Sequence, residues 1–142
     1  MTKAPATITY ASVVSGETIC IALLMAALND LNVKVGDVLN AYITAPIIKK
    51  VWTVLGPEFN IDTSKSAIIM QALYGLKSAG AAFCAHLASF MCQMGYTSCK
   101  ADPDLWFKAE TRPADSFWYY AYILCYVDDI FVSTMILCLY SI

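Results

Sequence analysis

Tyr126-Val127-Asp128-Asp129 sets two adjacent carboxylates inside an apolar run that extends from Trp118 to Tyr140. Tyr119 to Tyr126 read as a strand, with Ala121 and Cys125 its weaker formers, and Ile130-Phe131-Val132 read as the start of the next. A buried, unpaired carboxylate is costly, and a neighbouring like charge makes it worse. The pair is therefore expected at the tip of a hairpin running from about Trp118 to Thr134 and turning at Val127 to Asp129. A solvated Asp-Asp turn would meet that demand, and for an isolated pair it is the ordinary outcome. If the tip faces a divalent cation, both acids acquire a use, because hard cations take carboxylate oxygens.

Upstream, Ser15 is placed to cap a helix over about Gly16 to Leu31. Ile21, Leu24, Leu28 and Leu31 recur at helical spacing and predict its buried face. Val33 to Val38 reads as a strand with Val33, Val35 and Asp37 on one side. Asp37 is thus an acid on a valine face, unless it merely ends the strand after Gly36. Pro46, Gly56-Pro57 and Asp62-Thr63-Ser64 punctuate connecting structure, within which Val51 to Val54 and Ala67 to Met70 read as short strands. A second helix is expected over about Ser78 to Met94. Phe83, Leu87, Phe90, Met91 and Met94 form its buried face, His86 lies at the boundary, and Gly95 ends it. Asp102-Pro103-Asp104 reads as a turn before Leu105-Trp106-Phe107, and Glu110 to Ser116 as a polar loop. The order predicts an α+β fold, with helices packed on one face of a mostly antiparallel sheet.

Composition narrows the function classes. The chain has 142 residues, 59% of them hydrophobic and 14% charged, with a mean hydropathy of +0.60. That hydrophobicity raises a membrane-associated or interaction protein as an alternative. Ile19 to Leu28 is too short to cross a bilayer, however, and a span over Trp118 to Ile142 would carry Asp128 and Asp129 near its middle, at roughly 2.5–3.5 kcal/mol each. No membrane span and no secretory signal is expected. Six cysteines without a C-x-x-C pair, and His86 as the single histidine, argue against zinc and against a disulfide framework. Free thiols in a reducing, cytoplasmic setting are the expectation. The net charge of −2 is a poor footprint for a nucleic-acid binder.

Four motifs in order resemble the reverse transcriptase domain of copia-type retrotransposons over about Val14 to Ser133. Asp37-Val38-Leu39-Asn40-Ala41-Tyr42 resembles the first catalytic motif. Leu73-Tyr74-Gly75-Leu76-Lys77 resembles the second. Lys100-Ala101-Asp102-Pro103-Asp104-Leu105-Trp106 resembles a family stretch between the helix and the last hairpin, and Tyr126-Val127-Asp128-Asp129 resembles the third motif. The resemblance implies a partial polymerase palm with part of the fingers and a catalytic hairpin near the C-terminus. It implies that Asp37, Asp128 and Asp129 hold two Mg²⁺ ions, with Mn²⁺ as a substitute, for nucleotidyl transfer. Tyr42 would discriminate against a 2′-hydroxyl, and Tyr74, Gly75, Lys77, Tyr126 and Val127 would line the nucleotide site. The implied partners are an RNA or DNA primer-template, deoxynucleoside triphosphates, and the finger, thumb and RNase H parts of a polyprotein.

Departures from the family bear on activity. Ser78-Ala79-Gly80-Ala81-Ala82-Phe83 stands where many relatives carry Gln and then Pro-Arg-Ala-Trp, and Gly16 and Cys20 stand where basic residues are expected. The expected organisation is a short tail over 1–13, the partial domain over 14–134 and a divergent tail over 135–142. The isolated fragment is expected to be inactive, and a non-catalytic remnant that retains the fold is the alternative.

Overall fold

A computed structural model of the chain describes residues 13–59 and 65–135. The Asp62-Thr63-Ser64 loop, most of the N-terminal tail and residues 136–142 of the C-terminal tail lie outside them. The elements are α1 (Gly16–Leu28), β1 (Asn32–Asp37), α2 (Ala41–Thr44), β2 (Pro46–Val54), a 3₁₀ turn (Pro57–Phe59), β3 (Ser66–Gln71), α3 (Ala79–Gln93), β4 (Thr97–Ser98), β5 (Leu105–Thr111), β6 (Trp118–Tyr126) and β7 (Asp129–Thr134). The mixture of helices and antiparallel sheets is the expected α+β class. The chain divides into two compact units, the first built on Asn40–His86 and the second on Ser12–Leu39 together with Leu87–Ile142.

The second unit holds a five-stranded antiparallel sheet in the order β1-β7-β6-β5-β4. Alternation along β6 sends its residues to opposite faces. Tyr119, Ala121, Ile123 and Cys125 join Trp106, Ile130, Tyr96 and the α3 residue Met91 in one core, with Leu87, Ala88 and Met94 packed against it. Leu124 joins Val14 and the α1 residue Ala22 on the other face, with Ile19, Tyr122 and Phe131 around them. Both faces therefore carry a helix, a correction to the one-sided layer expected from sequence.

Ser15 caps α1 as expected, its Oγ accepting from the Thr18 amide at 3.1 Å. The predicted stripe does not face inward, however. Ile21, Leu24 and Leu28 are 62, 58 and 72% exposed, and the buried residues of α1 are Ala22 and Ala26. The helix is apolar nearly all round, so periodicity of large residues could not choose its inward side. The choice follows the tether at its start. Asp102 Oδ2 accepts from the Ser15 amide at 3.0 Å and from Thr18 Oγ1 at 2.6 Å, which turns the alanine side toward the sheet. Leu31 lies past the helix end and packs on the α3-side core.

On α3, Phe83 and Met91 are buried as expected, while Phe90 is half exposed. Gly95, at φ +84°, closes the helix. Its amide donates to the Cys92 carbonyl and the Tyr96 amide donates to that of Met91, the paired bonds of a Schellman ending. In the first unit, β2 and β3 form a two-stranded antiparallel sheet with Trp52 opposite Ile68.

Candidate functional site

The candidate residues of the second unit are three acids and a hairpin turn. β1 pairs with β7 so that Asp37 stands directly opposite Asp129, and β6 pairs with β7 so that Tyr126 also stands opposite Asp129. Residues opposite one another in an antiparallel pair project to the same face, so Asp37, Tyr126 and Asp129 share one side of the sheet. The Val38 amide donates to the Asp128 carbonyl at 2.9 Å, tying the end of β1 to the hairpin turn. Asp37, Tyr126 and Asp129 are exposed, and Val127 and Asp128 half-buried.

The turn is tight. Val127 and Asp128 are its two central residues, and Val127 has φ +59° while Asp128 does not have a positive φ. A positive φ at the first central residue alone is the sign pattern of a type II′ turn, which matches strand twist and favours glycine there. A β-branched residue in that conformation is an outlier. The strain is held by the flanking β6–β7 ladder, and it aims the peptide that joins the two carboxylates.

Among the described residues, no group of three or more His, Cys, Asp or Glu side chains is gathered closely enough to hold a metal ion. The backbone thus brings Asp37 beside the Asp128-Asp129 turn without closing the carboxylates into a cage. Exposed like charges gain nothing from converging on their own. Their chemistry suits Mg²⁺, which takes hard oxygen ligands and commonly only one or two carboxylates beside substrate phosphates.

Tyr42, Tyr74, Gly75 and Lys77 lie in the first unit. Leu73 to Leu76 form a turn in which the Leu76 amide donates to the Leu73 carbonyl at 3.1 Å and Gly75 sits at φ +91°. That is a type II turn, whose third position calls for glycine and whose second position projects Tyr74 outward. The Tyr74 ring lies against Tyr42, with centroids 4.6 Å apart, and Phe83 supports Tyr42 from 6.0 Å. Tyr42 itself is the second residue of the short α2, which follows Asn40 in the left-handed region. Lys77 is exposed just before α3. The sequence marked Tyr42 and Tyr74 separately. It read Phe83 only as a core residue, since nothing in one dimension shows that α3 passes beneath α2.

The Asp102 turn has a role that sequence reasoning assigned only to turn chemistry. Besides its two bonds to the start of α1, Asp102 Oδ1 accepts from the Asp104 amide at 3.2 Å. Partial burial pushes its carboxyl up, but the bonds from Thr18, Ser15 and Asp104 outweigh burial and hold it below the usual carboxylate range.

No described helix is long and apolar enough to cross a membrane. From Trp118 to Thr134 the apolar run folds as β6 and β7, with its carboxylates at the turn. Among the described residues, Cys20, Cys84, Cys92, Cys99 and Cys125 form no disulfide with one another. Comparison with known proteins adds the ancestry. No curated protein and no solved structure matches the chain. The family described as reverse transcriptase (RNA-dependent DNA polymerase) matches residues 6–138, nearly the whole sequence. The chain belongs to that family, in its copia-type branch, as a partial reverse transcriptase domain.

Proposed function

We propose that the chain is the palm, with part of the fingers, of an RNA-directed DNA polymerase, occupying about residues 14–134 and needing further parts of a polyprotein to work. The observation that carries this reading is the register of β1 on β7, which sets Asp37 opposite Asp129 beside the Asp128 turn. In this reading Asp37, Asp128 and Asp129 are the residues that would hold two divalent cations. Such ions, when bound, supply stabilisation of charge on the attacking and leaving oxygens of an in-line displacement at phosphorus. The residues' own share is positioning. The turn fixes Asp128 and Asp129, Tyr126 and Val127 border the incoming nucleotide, and Tyr42, held between Tyr74 and Phe83, occupies the space that a 2′-hydroxyl would need. Gly75 keeps the backbone close and Lys77 offers a charge to phosphate.

A non-catalytic remnant is the second reading. It is favoured by the absence of a gathered acid cluster among the described residues and by Gly80-Ala81-Ala82 in a stretch where relatives carry arginine.

Two measurements test the proposal. Mn²⁺ binding followed by electron paramagnetic resonance should be present in the purified chain and lost in Asp37→Asn and Asp128→Asn. Primer extension on an RNA template should be undetectable for the 142-residue chain and appear when a relative's fingers and thumb are joined to it, because positioning supplies much of the catalysis in such reactions. Mn²⁺ binding that ignores both substitutions would sink the assignment. Extension by the bare chain that vanishes in Asp128→Asn would overturn the need for other parts.

A further inference from the structure

Glu17, Ile21, Leu24 and Leu28 follow one another at helical spacing and form the outer stripe of α1, opposite the buried Ala22 and Ala26. The three apolar members are each more than half exposed. Acids stand at both ends of the stripe. Glu17 opens it, Asp30 lies just past its close, and both are exposed. Arg112, whose charge Asp30 helps to hold, is itself paired with Asp115.

In the first unit, the β2–β3 ribbon has an apolar face of the opposite charge. Trp52 and Val54 on β2, and Ile68 and Met70 on β3, project to one side by alternation and register, and all four are exposed. Lys49 and Lys50 are exposed directly before Trp52. Two strands alone are marginal in water, so a ribbon gains when such a face is packed. The units differ in charge as a whole. The described residues of the first carry four basic residues against one acid, a balance of +3, and those of the second four against nine, a balance of −5.

Charge decides what covers these two faces. Pairing α1 with α1 of a second copy would set Glu17 beside Asp30 when antiparallel and Glu17 beside Glu17 when parallel, and like charges at that range are destabilising. Ribbon on ribbon would join two units that each carry +3. Each face rejects its own kind and suits the other. We propose that the β2–β3 ribbon of one copy docks on the outer stripe of α1 in a second copy, with Trp52 and Met70 over Ile21, Leu24 and Leu28 and the two lysines at the acids. The spans agree, since Glu17 to Leu28 rises about 16 Å along a helix and Lys49 to Val54 covers about 17 Å of strand. The contact uses a different patch on each copy, so it is head-to-tail. Its area is on the order of 1,000 Å², the low end for a specific interface, and its affinity is correspondingly weak. It needs neither metal nor nucleic acid and stands apart from the polymerase reading.

The test is sedimentation velocity of the whole chain over a range of concentration and salt. Association should weaken at least about threefold between about 50 mM and about 500 mM NaCl as the charges are screened. Lys49→Glu with Lys50→Glu should leave a folded monomer by circular dichroism. So should Glu17→Lys with Asp30→Asn, asparagine being chosen because residue 30 has φ +53°. Mixed in equal amounts, the two variants should associate again, because the acidic ribbon of one meets the altered helix of the other. Carbodiimide coupling of isotope-labelled with unlabelled parent chains should join Lys49 or Lys50 to Glu17 or Asp30 in peptides of mixed isotope. Association that strengthens with salt, variants that associate like the parent, or a mixture of folded variants that stays monomeric would overturn the proposal. Coupling confined to peptides of a single isotope would overturn it too, since the contact would then lie within one chain.

Discussion

Single side chains set two testable energies in the second unit. Asp102 holds the start of α1 through bonds from the Ser15 amide and Thr18 Oγ1. Hydrogen bonds to a charged group are worth about 1.5–3 kcal/mol, so Asp102→Asn should lower unfolding stability by about 1–2 kcal/mol in urea titrations near neutral pH. Because its carboxyl titrates below the ordinary value when folded, this contribution is present above the unfolded pKa of about 3.9 and is lost as pH falls through the lower folded value. The Asn variant should therefore lose less stability than the parent between neutral pH and the acid limb. Ser133 is the opposite case. It is fully buried on β7, and its Oγ finds no hydrogen-bond partner among the described residues. Removing an unsatisfied buried hydroxyl should cost nothing, and Ser133→Ala is expected to match the parent or gain about 1 kcal/mol in the same assay.

Among the elements, the strands and helix ends were the most legible. β1, β3, α3 and the β6–β7 hairpin fall within a residue or two of the sequence reading, because alternation, Ser15 and Gly95 are local signals. β2 starts at Pro46, earlier than Val51, since its first half is joined to β3 through a register shift that no alternation announces. The inward face of α1 was not legible at all. Its rotation depends on Asp102, 84 residues from Thr18, and long-range tethers leave no periodicity. The candidate acids stood out as residue types, since an acid on a valine strand and an acid pair within an apolar run are both local anomalies. Their pairing through β7 was not, because register is a property of two strands. Turn chemistry offers a further check at this scale. Gly75 and Gly36 both have open space where a Cβ would go, but only Gly75 has a positive φ. Alanine at Gly75 should cost about 1–2 kcal/mol in thermal or urea unfolding, whereas alanine at Gly36 should be neutral or slightly stabilising.

Over the whole molecule, exposed apolar surface dominates the expected behaviour. Ile21, Leu24 and Leu28 line the outer side of α1, and large contiguous apolar patches favour association. The purified chain should self-associate with rising concentration in light scattering. Leu24→Lys with Leu28→Glu should reduce that association without changing the melting transition, since neither side chain is buried. A chain that stays monomeric at high concentration would count against this. The pairing of β1 with β7 has a consequence in time as well as in space. These strands lie about 90 residues apart, with the first unit inserted between them. Closing a loop of that length costs about 4 kcal/mol in its length-dependent part, and folding of the inserted unit shortens the effective loop. During synthesis Asp37 therefore emerges early on a strand with nothing to pair with. It waits through the making of the whole inserted unit, α3 and the β5–β6 hairpin. Only once β7 has left the ribosome can the ladder close, so Asp37 comes to stand beside the hairpin turn after every described strand before β7 has already been made.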